Sequence, residues 1–228
     1  MGPPQAGRRV LTLVLFDLDD TLVDLTGAFA RWAGEFAAEH GLPGDAVAWL
    51  VGAGRRSRGP KDRLFAEVRA RFGLAEPVEE LWARYRARVP ELVAARPGVA
   101  EGLVALRAAG WRIGVVTNGL PDNQVGKLRR TGLADLVDGW CASGEVGPRK
   151  PDPEIFRLAA RRCGVPLAGW VVGDDPVLDV EGGRRAGLRT CWVDHGRLWP
   201  GETPPDLVAG DTHLAIRSLL DAESQLFA

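Results

Sequence analysis

The sequence predicts an α/β fold, with a doubly wound, mainly parallel, Rossmann-like sheet and an inserted all-helical cap domain. Two observations lead to this fold class. Short and almost wholly apolar runs recur along the chain, and the later ones alternate with helical patterns, while a long segment after the first run contains helical patterns alone. Continuous apolar strands are typical of parallel sheets covered on both faces, and strand–helix–strand repeats form right-handed crossovers in such sheets.

The predicted strands are five apolar runs. They are Val10–Phe16, Trp111–Val116, Gly139–Ala142, Gly169–Gly173 and Leu188–Val193. The first run reads Val-Leu-Thr-Leu-Val-Leu-Phe and lacks the alternation of polar and apolar residues that marks a half-exposed strand. We therefore expect strands that are buried on both faces.

Helical patterns accompany the last four runs. They are Val99–Ala109, Gln124–Thr131, Pro153–Cys163 and Val177–Ala186, and the chain closes with the amphipathic pattern Leu214–Leu226. Each of the first four is followed by a glycine, which is the usual stop signal at a helix C-terminus. Together with the apolar runs, they predict βαβ units.

The segment after the first run predicts helices only. These are Thr26–His40, Asp45–Val51, Lys61–Phe72 and Val78–Val93. We therefore predict a core domain of residues 1–23 plus 96–228 and a helical cap domain of residues 24–95, with the return at Arg96-Pro97-Gly98.

Charge, apolar runs and cysteines indicate which binding partners and which cellular compartment to expect. The 29 basic and 30 acidic residues give a formal net charge of −1, which lends no support to a nucleic-acid or membrane-surface partner. No stretch approaches the ~20 apolar residues of a membrane span, and the first apolar run is too short for a secretion signal. The cysteines Cys141, Cys163 and Cys191 show no CxxC spacing, so we expect core residues in a reducing compartment. These features predict a cytoplasmic protein.

Acidic residues follow two of the predicted strands. Asp17 and Asp19 follow the first, and Asp174, Asp175 and Asp179 follow the fourth. Since ligands bind beyond the carboxyl ends of parallel strands, we expect up to five carboxylates in one small region. Close like charges cost stability, and a hard cation such as Mg²⁺, which prefers carboxylate oxygens, removes this cost. The alternative is that these acids cap helices, and for Asp175 the two interpretations are equally good.

Hydrogen-bond donors and a lysine follow the neighbouring strands. Thr117-Asn118-Gly119 precedes a helix that starts near Pro121, and a helix N-terminus with such donors suits an anion. Lys150 adds a compact positive charge in the next loop. Taken singly, the segment is compatible with simple capping and the lysine with a solvated surface. Together with the acids they predict a ligand that is both anionic and metal-bound, and a phosphate fits.

Four segments in this order resemble those of the haloacid dehalogenase-like hydrolases. They are Asp17-Leu18-Asp19-Asp20-Thr21, Thr117-Asn118-Gly119, Lys150-Pro151-Asp152-Pro153 and Gly173-Asp174-Asp175 with Asp179. The resemblance covers essentially the whole chain. The helical insertion resembles the first cap type of that family, in the subgroup that includes phosphoglycolate phosphatases and nucleotidases.

The resemblance implies a magnesium-dependent phosphatase that acts on a small organic phosphate ester. Asp17 would attack phosphorus and form an aspartyl-phosphate, and Asp19 would first protonate the leaving oxygen and then activate water. It implies Mg²⁺ ligands from Asp17, the Asp19 backbone carbonyl and Asp174, auxiliary metal residues Asp179 and Asp175, and phosphoryl contacts from Thr117, Asn118, Gly119 and Lys150, the last also catalytic. Leu178 stands where the family often has Asn, which weakens the assignment of Asp179.

Three other functions are known or conceivable for this fold. Dehalogenases usually lack an acid two residues after the nucleophile, so Asp19 argues against dehalogenation. Sugar-phosphate mutases carry a His soon after the first segment, and Asp24–Arg31 has none. A non-catalytic binding relative would be expected to lose the nucleophile, the acid or the lysine, and all three are present.

The predicted cap carries two further features. The basic, glycine-containing segment that ends in Arg55–Lys61 is either a contact for a second anionic group or a flexible solvated connection. The tryptophans Trp32, Trp49 and Trp82 fall in helical patterns and are expected in the core rather than on a stacking surface. Neither the particular phosphate ester nor the oligomeric state follows from the sequence.

Overall fold

A parallel sheet forms the centre of the protein. The computed structural model describes residues 12–57 and 62–224, and in this part of the chain the sheet has six strands. They are β1 (Leu13–Phe16), β2 (Arg112–Thr117), β3 (Gly139–Ala142), β4 (Gly169–Gly173), β5 (Arg189–Val193) and β6 (Leu207–Ala209). The predicted α/β class with a doubly wound parallel sheet is confirmed.

Helices cover the sheet and fill the segment after β1. They are α1 (Leu25–Glu39), α2 (Ala46–Arg56), α3 (Asp62–Phe72), α4 (Val78–Leu92), α5 (Val99–Ala108), α6 (Pro121–Arg130), α7 (Ser143–Val146), α8 (Pro153–Arg162), α9 (Gly182–Arg185) and α10 (Thr212–Ser224). A 3₁₀ turn covers Leu133–Leu136, and a π-helical turn covers Pro176–Glu181 directly before α9.

The strand order β3-β2-β1-β4-β5-β6 places β1 between β2 and β4. Leu13 is level with Arg112 on one side and with Gly169 on the other. Alternate β1 side chains enter different apolar clusters, with Val14 on one face of the sheet and Leu15 on the other. Burial on both faces explains why this run shows no alternation of polar residues. The order of connections reverses beside β1, and this reversal opens a crevice at the carboxyl ends of the strands.

Helices α1–α4 pack around an apolar cluster of their own. Trp32 lies at its centre, with ring centroids 5.6 Å from Phe65 and 5.0 Å from Tyr85, so its predicted core position is confirmed. Trp49 packs edge-on against Phe72 at 5.3 Å at the margin of the cluster. Trp82 also packs against the cluster and is partly buried, and the rest of its side chain lines a cleft.

Two adjacent connections join these helices to the sheet. Val23 and Ala95 form an isolated antiparallel bridge, and the Asp24 N–H donates to Ala94 O at 2.9 Å. The side chain of Asp20 accepts from the Thr26 N–H at 2.9 Å and from Arg96 at 3.0 Å. The outgoing and returning chain segments are therefore fixed to each other beside β1.

Several elements differ from the predictions. The helix predicted over Asp45–Val51 continues to Arg56, so residues 52–56 are helical rather than part of a flexible connection. The helix predicted over Val177–Ala186 is a π-helical turn followed by the short α9. Strand β6 was not predicted because it has only three residues and its central Val208 is exposed at the sheet edge.

Some predicted features lie outside the described residues. These are Met1–Leu11, which includes the start of the first predicted strand, the residues numbered 58–61 of the basic segment, and the last residues of the predicted C-terminal helix. The three cysteines are free and buried, as predicted. No helix in the described ranges has the length and apolar character needed to span a membrane.

Glycine at position 54 allows α1 and α2 to pack closely. A Cβ atom there would lie 2.6 Å from the ring of the buried Phe29. We expect Gly54→Ala to lower the free energy of unfolding by about 1–3 kcal/mol, because the ring cannot move without disturbing the cluster. The matched control is Gly34→Ala in α1, where a Cβ atom meets nothing within 4 Å. This substitution should raise the free energy of unfolding by about 0.5–1 kcal/mol. Urea unfolding of both variants checks this, and equal effects would contradict the packing explanation.

Candidate active site

The predicted functional residues meet at the carboxyl edge of the sheet. Asp17 directly follows β1, Thr117 ends β2, Asp174 directly follows β4, and Lys150 lies in the loop between α7 and α8. The Asp17 N–H donates to Val172 O of β4 at 2.9 Å, so the sheet ladder itself holds the backbone of this aspartate. Parallel pairing therefore brings together residues that are more than a hundred positions apart in sequence.

Three carboxylates form a cluster beside the end of β1. Asp17, Asp174 and Asp179 each offer an oxygen, and these oxygens lie within 4.8 Å of one another. The Lys150 ammonium contacts Oδ1 of Asp17 and lies 2.7 Å from Oδ1 of Asp179. Asp17, Asp179 and Lys150 are all buried, so water screens these charges poorly.

This cluster carries more negative than positive charge. Burial, together with the neighbouring acids, raises the pKa of Asp17, although Lys150 opposes the shift. Burial and the charge of Asp17 raise the pKa of Asp174 to about 7. Burial alone would lower the pKa of Lys150, but Asp17 and Asp179 outweigh it and raise that pKa. Three carboxylates, two of them buried, outnumber the nearby Lys150 ammonium and Arg197 guanidinium, so the arrangement suits a further cation with oxygen ligands, which is the coordination chemistry of Mg²⁺.

Asp174 and Asp179 are held by groups near the end of β5 and in the π-helical turn. Arg197 donates to the Asp174 backbone oxygen at 2.7 Å, and its guanidinium lies 3.3 Å from Oδ2 of Asp174. Oδ2 of Asp179 accepts from the Asp175 N–H at 3.0 Å. Leu178, the departure from the family pattern, lines the cleft that also contains Asp19.

Asp175 caps the π-helical turn. Its Oδ1 accepts from the N–H groups of Val177 at 2.8 Å and Leu178 at 3.0 Å, and it is not one of the three clustered carboxylates. This geometry matches the capping interpretation of the sequence. A part in an auxiliary metal shell stays a prediction for Asp175, as does a metal contact from the Asp19 backbone.

The side chain of Asp19 points to a different partner from that of Asp17. Lys127 of α6 donates to its two oxygens at 2.7 and 2.9 Å, and Gln124 donates to Oδ2 at 3.1 Å. Lys127 and Gln124 are both buried. The two aspartates of the first segment are therefore two residues apart in sequence, yet each is paired with its own lysine.

The donor segment after β2 is fixed by hydrogen bonds to neighbouring loops. Asn118 Nδ2 donates to Lys150 O at 3.0 Å, and the Lys150 N–H donates to Asn118 Oδ1 at 2.9 Å. Thr117 Oγ1 accepts from Gln124 at 2.8 Å, and the Gly119 N–H donates to Ser143 Oγ at 3.1 Å. Asn118 thus orients the backbone of Lys150, while direct contact of these groups with a phosphate stays a prediction.

Two clefts lie beside this region. A cleft of about 440 Å³ is lined by Asp19, Asn118 and Arg149 of the sheet side and by Trp82 and Arg86 of α4. Another of about 720 Å³ is lined by residues that include Asp174, Arg55, His195 and Arg197. Arg55 of the basic segment therefore faces the Asp174 side, not the Asp19 side.

Sequence reasoning missed four residues of this site: Gln124, Lys127, Ser143 and Arg197. Lys127 and Gln124 lie three positions apart in a predicted helix, which places them on one helix face. A polar face on an amphipathic helix is ordinarily solvated, so nothing in the pattern indicated that these two side chains are buried. Arg197 lies in a loop with no motif.

Acids suited to a cation and donors suited to an anion, beside the reversal point of a doubly wound sheet, are typical of α/β enzymes that act on phosphate groups. The chain belongs to the haloacid dehalogenase-like hydrolase family, whose sequence profile matches residues 11–187.

Similar proteins include two phosphatases and a solved structure. The chain is 41% identical over 157 residues to a phosphoserine phosphatase of Thermus thermophilus, a match that covers 66% of this chain and 61% of that enzyme. It is 33% identical over 193 residues to the plasmid phosphoglycolate phosphatase of Cupriavidus necator, covering 83% and 84%. The crystal structure of a HAD phosphatase from Thermococcus onnurineus superposes with a TM-score of 0.65 at 27% identity, covering 92% and 98%.

The raised pKa of Asp174 makes the stability of the metal-free protein depend on pH. Its folded-state value of about 7 lies above the ordinary 3.8, so between these values the folded protein keeps a proton that the unfolded chain has lost. Stability from this group is therefore greatest below about pH 4 and falls as pH rises to about 7. We expect Asp174→Asn to be more stable than the wild type by a few kcal/mol at pH 8, with no difference near pH 4.

Urea unfolding in EDTA at both pH values measures this difference. Asp135→Asn, at an exposed position of the 3₁₀ turn, is the control and should leave the pH dependence unchanged. Added Mg²⁺ should raise the Tm of the wild type at pH 8 more than that of Asp174→Asn. A variant that is less stable than the wild type at pH 8 in EDTA would contradict the electrostatic interpretation.

Proposed function

We propose that this protein is a magnesium-dependent phosphatase that hydrolyses a small organic phosphomonoester through an aspartyl-phosphate on Asp17. The observation that carries the proposal is the buried Asp17 carboxylate in contact with Lys150, at the sheet edge where Asp174 and Asp179 join it. A nucleophile there has a fixed position and an adjacent positive charge for the phosphoryl oxygens.

Two displacements at phosphorus describe the reaction. A carboxylate oxygen of Asp17 forms a bond to phosphorus while the bond from phosphorus to the ester oxygen breaks, and Asp19 gives that oxygen its proton. Asp19, now a carboxylate, then takes a proton from water as the water oxygen attacks phosphorus and the Asp17 carboxylate leaves. Lys150 and Thr117 stabilise charge on the phosphoryl oxygens in both displacements.

Magnesium would be held by Asp17 and Asp174, with Asp179 and the Asp19 backbone carbonyl as further contacts. When bound, it would supply positive charge that neutralises the carboxylate cluster and the phosphate. This set fits the ion because all its members offer oxygen atoms.

We further propose that residues 24–95 act as a cap domain over a core domain of residues 1–23 plus 96–228. Helix α4 of this segment contributes Trp82 and Arg86 to the cleft that contains Asp19. A cap at this place would exclude water from the reacting groups and contact the leaving group.

The alternatives of the same fold gain no support from these contacts. An acid held in place at Asp19 serves a reaction whose leaving oxygen needs a proton, which displacement of a halide does not. Mutase chemistry would also use a cap His in Asp24–Arg31, and the sequence has none there. Free buried thiols suit a reducing compartment, so we expect the enzyme to work in the cytoplasm, on a small molecule rather than on nucleic acid.

The cleft beside Asp19 suggests the class of substrate. Its apolar wall includes Trp82 and Leu120, and its charged groups include two guanidinium groups. Arg86 is paired with Asp122 at 2.9 Å, whereas Arg149 is exposed and has no ion pair within the described residues. We propose a leaving group that carries a carboxylate, for which Arg149 is the available partner. Phosphoglycolate and phosphoserine, the substrates in the names of the two relatives, are the first esters to test.

Substitution of the nucleophile tests the reaction. We expect Asp17→Asn to lower the release of phosphate from p-nitrophenyl phosphate with Mg²⁺ by at least about a thousandfold, because an amide cannot form the aspartyl-phosphate. EDTA should abolish the wild-type activity. Asp135→Asn, at the exposed 3₁₀ turn, is the control. Retained activity in Asp17→Asn would overturn the proposal, as would a wild type that turns over none of some tens of phosphate esters.

Substitution of the free guanidinium tests the substrate class. For each protein, kcat/KM is measured on a pair of esters, one with a carboxylate, such as phosphoglycolate, and one without, such as ethyl phosphate. We expect Arg149→Gln to lower kcat/KM about tenfold for the carboxylate member and to leave the other within about twofold, since a hydrogen bond to a charged group contributes about 1.5–3 kcal/mol. Arg157→Gln on α8 is the control. A loss that is equal for both members would contradict this assignment.

A further inference from the structure

Lys127 places a positive charge in the interior of the protein. Its side chain is only 3% exposed, and its ammonium lies 2.7 and 2.9 Å from the two oxygens of Asp19 and 2.7 Å from Oε1 of Gln124. An ammonium has three N–H donors, and these three oxygens are acceptors for all of them. The lysine is therefore held in one geometry.

Gln124 completes the same network. Its Nε2 lies within hydrogen-bond distance of Asp19 Oδ2 at 3.1 Å, of Thr117 Oγ1 at 2.8 Å and of Asn118 O at 2.9 Å. A Cβ atom on Gly119 would lie 2.8 Å from this Nε2, so the amide is also confined by packing. Asp19 is thus bonded from two residues of one helix.

Burying an ion pair of this kind is an expensive way to stabilise a fold. Lys127 loses its hydration when it is buried, and well-packed apolar side chains of similar volume stabilise as well as or better than a buried ion pair. Lys127 and Asp19 come from positions 108 residues apart. An apolar residue at position 127 could not orient the Asp19 carboxyl group, because it has no hydrogen-bond donor.

We propose that Lys127, supported by Gln124, is the positioning residue that holds Asp19 in place for proton transfer to the leaving oxygen. The inference rests on the proposed phosphatase function. Oδ1 of Asp19 accepts a hydrogen bond only from Lys127 among the described residues, whereas Oδ2 accepts from both Lys127 and Gln124. Oδ1 therefore accepts fewer hydrogen bonds from the protein than Oδ2 does, and Asp19 lines the cleft assigned to the leaving group.

Proton transfer needs this geometry throughout the first displacement. The O–H bond of the Asp19 carboxylic acid breaks as the proton moves to the ester oxygen, and the bond from phosphorus to that oxygen breaks while Asp17 binds phosphorus. Lys127 keeps its protons and stays hydrogen-bonded to the carboxylate that Asp19 becomes. Misplacement of a catalytic group by about 1 Å costs on the order of a hundredfold in rate.

Helix α6 is also held to α4. Asn123 Nδ2 donates to Arg86 O of α4 at 3.1 Å, and Asp122 pairs with the Arg86 guanidinium at 2.9 Å. Arg130, one helical turn after Lys127, lies 3.2 Å from Glu91 of α4. The helix is therefore held both to α4 of the proposed cap and to Asp19.

Dependence on the leaving group separates positioning from general stabilisation. The p-nitrophenolate ion can leave without being protonated, whereas the oxygen of an alkyl ester needs a proton in order to leave as an alcohol. The experiment uses single-turnover mixing with Mg²⁺ and two esters, p-nitrophenyl phosphate and an alkyl phosphate that the wild type turns over. It compares the rate of phenol release from the first with the rate of alcohol release from the second. We expect Lys127→Met to slow the alkyl ester at least about tenfold more than the nitrophenyl ester, in the same direction as Asp19→Asn.

The controls make each outcome decisive. Arg130→Met removes an ion pair from the same helix away from Asp19 and should leave the ratio of the two rates unchanged. If Lys127→Met does not fold by circular dichroism, Lys127→Gln, which keeps a polar group without the charge, takes its place. A ratio that changes less than about tenfold overturns the positioning role. Wild-type protein that turns over neither ester would overturn the proposed function instead, which distinguishes the two failures.

Discussion

The contact of Lys150 with Asp17 and Asp179 is the interaction on which the rest of the site depends. Carboxylate oxygens of Asp17, Asp174 and Asp179 lie within 4.8 Å of one another, and the Lys150 ammonium and the Arg197 guanidinium offset only part of their charge. Burial raises the pKa of each of the three carboxyl groups. The folded chain can keep such a group of acids because Lys150 is present and because a cation can bind there. The same excess of negative charge explains why a phosphate would need both a metal and the lysine in order to approach.

The sheet order provides the positions that this interaction needs. β1 lies between β2 and β4, so Asp17 is flanked by Thr117 on one side and Asp174 on the other. Asn118 then joins β2 to the loop of Lys150 through two hydrogen bonds, and this linkage aims the lysine at the acids. A residue outside the motifs, Arg197, holds Asp174 from the β5 side. Hydrogen bonds between loops, rather than rigid strands alone, thus set the geometry of the cluster.

Two aspartates of one short segment, Asp17 and Asp19, have different neighbours. Asp17 lies in the carboxylate cluster with Lys150, and Asp19 faces the buried Lys127 of α6. This separation matches the two proposed tasks, because a nucleophile must reach phosphorus and a proton donor must reach the leaving oxygen. The two clefts follow the same division, with Asp174 lining one and Asp19 the other. Helix α4 contributes Trp82 and Arg86 to the Asp19 cleft and Tyr85 to the Asp174 cleft, so the proposed cap reaches both.

The sequence by itself determined the fold class, five of the buried strands and the functional residues that follow them. Apolar runs reveal buried strands because burial on both faces removes the polar alternation, and parallel pairing brings the ends of those strands to one edge. Only the tertiary structure decided that Asp175 caps a π-helical turn, that Gly54 serves close packing against Phe29, and that Lys127 and Gln124 are buried against Asp19. These features depend on contacts between residues far apart in the chain. Local periodicity reports which face of a helix is polar, but it does not report what that face touches.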